Sequence, residues 1–148
     1  MSLLLKSVYI HIFTALVIFA TYAFWVFGVL GIEYFTGPDA LTRIGKSIGI
    51  LIIAGYAFEI LVTVALLGKE SMQQAKKGID PIDERDQQIL YKSLFNSHIA
   101  LCGGLFLSVA ALALGVPIFW VFNAIVFAFL LSIIAELSTK LFLYHAGS

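Results

Sequence analysis

Four long stretches of this chain carry almost no polar side chains. They run from Val8 to Leu30, Ile48 to Leu67, Leu94 to Val116, and Ile118 to Leu137. Apolar residues fill each stretch solidly rather than alternating, so no half-buried strand is indicated. A helix needs about 20 apolar residues to cross hydrocarbon, because ~1.5 Å of rise per residue must cover ~30 Å. The pattern therefore predicts four membrane-spanning helices, the fourth able to continue through Leu141, Phe142 and Leu143. A barrel would need about eight shorter, alternating segments. The first run is too long for the apolar core of a cleaved signal, and no A-x-A site follows it. The expected fold class is all-α: a polytopic membrane four-helix bundle, one transmembrane domain over residues 1–148, with one sizeable polar loop over residues 68–92.

Polar punctuation sets the links. Gly37-Pro38-Asp39 reads as a turn in which Asp39 caps the next helix, so helix two starts ahead of its apolar run. Gly115-Val116-Pro117 is short enough to force spans three and four into an antiparallel hairpin. Within the long loop, Lys69 to Lys77 reads as helix two running on into water, with Gly78 as its stop. Asp80-Pro81 then reads as a cap with proline at the first helical position, restarting a helix that feeds span three. Asp83, Glu84 and Asp86 sit where acids complement a helix dipole.

Composition removes the alternatives. Hydrophobic residues make up 61% of the chain and charged residues 12%, against about 25% charged in an ordinary soluble domain. So little charge cannot cover the water-facing surface of a small domain, and so much apolar content excludes disorder. Nine basic and nine acidic residues leave no global field for nucleic acid. The single Cys102 excludes an intrachain disulfide. Lys6, Lys69, Lys76, Lys77, Arg85, Lys92 and Lys140 fall on the side of both termini and the long loop, and Arg43 and Lys46 on the other. That asymmetry predicts cytoplasmic termini and a cytoplasmic loop in an inner membrane. Trp25 and Trp120 fall at the opposite ends of their spans, at headgroup level, where indole rings prefer to sit.

Two segments invite comparison. Leu4-Leu5-Lys6-Ser7-Val8-Tyr9 is similar to Leu90-Tyr91-Lys92-Ser93-Leu94-Phe95, each is followed by a histidine (His11, His98), and each even-numbered span holds one glutamate (Glu59, Glu136). A duplicated helical hairpin and a chance likeness of apolar helices both account for this.

Ionisable groups inside the membrane are functional candidates by default, because a central carboxylate costs about 2.5–3.5 kcal/mol to insert. Glu59 lies eight residues from Leu67, about 12 Å inside the boundary at ~1.5 Å per residue. Hydrocarbon penalises its charged form, which makes it the candidate proton site. At its depth the third span offers Cys102, Gly103 and Gly104, with His98, Ser132 and Thr14 at neighbouring levels. The expectation is that Glu59 points at span three, and that the outward lean of Glu59 and the inward lean of His11 keep those two apart. Glu59, His98, Cys102, Ser132 and Thr14 form the expected intramembrane polar set. His11, Glu136 and Lys140 are secondary, the last two forming an i,i+4 pair able to snorkel to the interface. A purely structural carboxyl bonded to backbone is the alternative for Glu59, and an interfacial packing role the simpler one for the histidines.

Other chemistry is sparse. His11 and His98 could ligate a haem between spans one and three. Asp80, Asp83, Glu84 and Asp86 lack calcium-loop spacing. Gly45-x-x-x-Gly49 has the spacing of a helix-packing site. No Ser-His-Asp pattern, phosphate loop or H-E-x-x-H motif occurs. No enzymatic activity, cofactor or metal is therefore expected. Asp83-Glu84-Arg85-Asp86, followed by Ile89, resembles a motif of uncharacterised small bacterial and archaeal membrane proteins, in which an Asp-Glu-Arg-acid tetrad precedes a transmembrane hairpin. The resemblance implies the same architecture and makes Asp83, Glu84, Arg85 and Asp86 a recognition or packing element. It transfers no catalytic residue.

Three functional readings follow. The first is a non-enzymatic membrane protein acting by association, as a homo-oligomer or a small subunit of a membrane complex. The second is a small proton-linked transporter or channel with Glu59 as its titrating site. The third is a haem-binding redox protein using His11 and His98.

Overall fold

The computed structural model describes residues 3–76 and 84–146. Among them are four long helices and no strand: α1 (Leu3–Ala23), α2 (Ala40–Lys76), α3 (Glu84–Ala113) and α4 (Ile118–Ala146). Each is long and apolar enough to cross a membrane. The chain is an all-α four-helix bundle of the multi-pass membrane type, as the hydropathy pattern predicts. Helix ends outrun the apolar stretches. α2 continues past Leu67 to Lys76, and α4 continues past Leu137 to Ala146. α3 begins at Glu84 and runs unbroken into the third span. The expected stop at Gly78, the restart at Asp80-Pro81, and Asp83 lie outside the described residues.

The first span departs from a uniform α-helix. Phe24–Leu30 is wound as a π-helix, and Ile32–Phe35 forms a 3-10 turn behind it. The wider winding sends Val26 into the interior and lays Phe27 against Phe119 and Trp120, with ring centroids 5.9 and 6.1 Å away. Phe35 stacks on Phe119 at 5.0 Å. Val26, Phe35, Ile44 and Phe119 make a small apolar core there. Tertiary packing of these rings offsets the poorer hydrogen-bond geometry of the π turn.

Between α3 and α4, the Val116 N–H bonds the Ala111 carbonyl and the Gly115 N–H bonds the Leu112 carbonyl. That pair is a Schellman motif, and Gly115 takes the left-handed position it requires, at φ 79°. At the other link, Asp39 precedes α2 as expected of a cap. Its carbonyl accepts the Arg43 N–H, and its carboxylate stands 3.9 Å from the Arg43 guanidinium. Arg43 also covers the Tyr34 ring and donates to the Tyr34 carbonyl.

Cross-helix contacts fix the arrangement. Asp86 meets Tyr144 and Asn96 meets Thr139 between α3 and α4. His11 meets Glu59 and Ile18 meets Gly55 between α1 and α2. Tyr22 meets Asn123 between α1 and α4. All three pairs of neighbours are antiparallel. Residues 3, 76, 84 and 146 therefore lie at one end of the bundle, called here the terminal end, and the links 31–39 and 114–117 at the other, the turn end. Packing is uneven. α3 and α4 are tightly joined, α1 touches α4 and α2, and α2 and α3 make almost no contact with each other. The helices follow one another in the order α2, α1, α4, α3, with α2 and α3 as flanks. The two hairpins are thus not equivalent, and the matched polar residues of the suggested duplication have different surroundings.

Candidate functional site

The seam between α1 and α2 is close at Gly55, where an added Cβ would stand 3.2 Å from the Cγ2 of Ile18. One turn toward the terminal end the same seam carries the polar pair: His11 Nε2 lies 3.6 Å from Glu59 Oε1. This corrects two expectations. Glu59 does not point at the third span, because α4 and α1 stand between α2 and α3. The His11–Glu59 contact also forms despite the opposed lean of the two side chains. The absent side chain at Gly55 brings the helix axes close enough for both long groups to bridge them.

His11 is held on both sides. Its Nδ1 lies 3.3 Å from Ser7 Oγ, and Thr14, fully buried, donates from Oγ1 to the His11 carbonyl at 3.1 Å. Ser7, His11 and Thr14 recur at helical spacing and share one face of α1. One turn from Glu59 on α2, the buried Thr63 hydroxyl has no hydrogen-bond partner among the described residues.

Beyond His11 lies a pocket of about 110 Å³ between α1, α3 and α4, with Ser7, His11, Asp86, Lys140 and Tyr144 in its wall. Tyr144 Oη donates to Asp86 Oδ1 at 2.9 Å, and Lys140 Nζ pairs with Glu136. The Glu136–Lys140 pair forms with the expected spacing, and Lys140 also lines this pocket.

The rest of the intramembrane set is scattered. His98 and Cys102 lie together on the exposed face of α3, with Nε2 3.5 Å from Sγ. Gly104 faces Ala128 of α4 so closely that a Cβ there would overlap it, whereas Gly103 has nothing within 4 Å. Ser132 is buried and spends its hydroxyl on the Phe129 carbonyl. Gly45 and Gly49 have no neighbour within 4 Å. Glu84 and Arg85 are exposed at the start of α3, while Asp86 turns inward.

The paired histidines of the haem reading are not brought together. His11 faces Glu59 across the α1–α2 seam, and His98 faces Cys102 on the outer side of α3. A cavity of about 380 Å³ between the turn-end halves of α1 and α2 is lined mostly by apolar groups and by neither histidine.

Sequence reasoning missed three polar contacts between helices: Tyr22–Asn123 at 3.3 Å, Asn96–Thr139 at 3.0 Å, and Asp86–Tyr144. The two asparagines carried a usable signal. An amide within an apolar run must find a partner, since hydrocarbon offers none. No known protein family, curated protein or solved structure matches the chain.

Proposed function

We propose that this membrane protein acts by association, as a homo-oligomer whose protomers meet along the uncovered side of α3. One observation carries the reading. α3 leaves His98 and Cys102 exposed inside the third span, with no other helix over them among the described residues. Polar groups at membrane depth almost always face protein or a cavity rather than lipid. Gln87, Tyr91, Phe95, His98, Cys102, Phe106 and Val109 are all exposed and follow one another at intervals of three or four. That spacing makes a single stripe along the helix.

A second copy is the partner this stripe fits. Two copies inserted in the same orientation hold His98 and Cys102 at the same depth. A two-fold axis along the membrane normal then sets each polar patch against its equal. The exposed Glu84 and Arg85 extend the same helix at the terminal end, where the recognition role suggested for Asp83–Asp86 would operate. The charge asymmetry supports an inner-membrane location with the terminal end in the cytoplasm.

Oxidative cross-linking in native membranes tests the reading. Cys102 is expected to give a covalent dimer that vanishes in Cys102→Ser. On that background, Phe95→Cys and Phe106→Cys should restore it, and Phe127→Cys on the exposed side of α4 should not. Equal cross-linking from Phe127→Cys, or none from any α3 position, would overturn the proposal.

A further inference from the structure

We infer that His11 is a proton shuttle that loads Glu59, inside the membrane, from the small pocket at the terminal end. The ligand of this site is the proton. The inference stands apart from the α3 contact and does not depend on it.

The geometry has three parts. Glu59 is a carboxyl about 12 Å inside the span at ~1.5 Å per residue, where bulk water does not reach. Its contact across the seam is His11 Nε2 at 3.6 Å. The other nitrogen of the same ring, Nδ1, is turned to Ser7, which with His11 lines the pocket. A single imidazole therefore stands between the partly exposed carboxyl of Glu59 and the chamber at the terminal end, with one nitrogen turned to each. That is the arrangement a proton shuttle requires. The chamber has room for a few waters at ~30 Å³ each. The groups that face His11 are Ser7 on α1, Glu59 on α2, Asp86 on α3, and Lys140 and Tyr144 on α4. Thr63, whose buried hydroxyl has no hydrogen-bond partner among the described residues, lies one turn from Glu59 on the same face of α2.

The transfer balances as follows. Neutral His11 bears its proton on Nε2, toward the Glu59 carboxylate. A proton from water in the chamber adds to Nδ1, giving the imidazolium. The Nε2–H bond then breaks and the proton passes to Glu59 Oε1, leaving a neutral carboxyl and an imidazole protonated on Nδ1. Release toward the chamber is the same sequence reversed. A proton-linked carrier or channel needs a site of this kind.

Infrared spectroscopy of the full chain in lipid vesicles tests it, following the carboxyl stretch as H2O is exchanged for D2O across a pH series. A protonated-carboxyl band that disappears in Glu59→Gln is expected. Its hydrogen exchange should slow at least tenfold in His11→Asn and in His11→Gln. Phe127→Leu, on the exposed side of α4 and away from the site, should leave the rate unchanged. Circular dichroism of each variant establishes that the helices are intact, and having two His11 substitutions guards against one that does not fold. The inference is wrong if Glu59→Gln removes no band at any pH, or if the band exchanges at the wild-type rate in a folded His11 variant.

Discussion

A methyl group added at Gly104 would overlap the Cβ of Ala128, while one added at Gly103 would meet nothing within 4 Å. Two adjacent glycines thus make opposite predictions. Gly104→Ala should force α3 and α4 apart and destabilise the protein by about 1–3 kcal/mol, the usual cost of overpacking. Gly103→Ala should be neutral or stabilising by up to about 1 kcal/mol through helix propensity. Unfolding of both variants in detergent micelles checks this, and equal effects would remove the close contact from the account. The same scale separates site from scaffold. Thr14, Ser93, Ser108 and Ser132 are buried, and each returns its hydroxyl to a carbonyl three or four residues back on its own helix. Such hydroxyls have spent their one donor locally. Glu59 and His11 differ because their partners lie on another helix.

Among the elements, the link between α3 and α4 depends on one backbone conformation. Gly115 sits at φ 79° in the Schellman turn that ends α3. Gly115→Ala should cost about 1 kcal/mol, since a Cβ disfavours the left-handed region. Equilibrium unfolding of the full chain measures it, and an unchanged midpoint would mean that the turn does not limit the hairpin. The other hairpin is built differently. A π turn ends its first span, a 3-10 turn with the buried Phe35 ring follows, and its two helices touch closely at Gly55. A tight pair (α3, α4) and a looser pair (α1, α2) result, and the polar pair His11–Glu59 belongs to the looser one.

For the whole molecule, the placement of the terminal end is open to direct labelling. On a Cys102→Ser background, Met72→Cys lies near the end of α2 and Glu33→Cys in the opposite link, both at exposed positions. A membrane-impermeant maleimide should reach Met72→Cys only from the cytoplasmic face and Glu33→Cys only from the other. The reverse pattern would invert the orientation. How much was legible beforehand follows from the range of each force. The apolar runs, the Gly115 turn, the polar overhang of α2 and the depth of Glu59 come from local composition, because a helix in lipid satisfies its backbone within itself and needs only length and hydropathy. Neighbour order is another matter. Lipid is as apolar as leucine, so no hydrophobic force dictates which helix meets which, and fine steric fit decides instead. Gly104 against Ala128 and Gly55 against Ile18 settle that order here. They put α3 beyond α4, away from Glu59, and bring His11 to it. The chain's own letters thus determined four helices long and apolar enough to span a membrane, and where along each one its polar groups fall. Only the tertiary structure decided which of those groups touch, because close approach between apolar helices turns on single missing side chains.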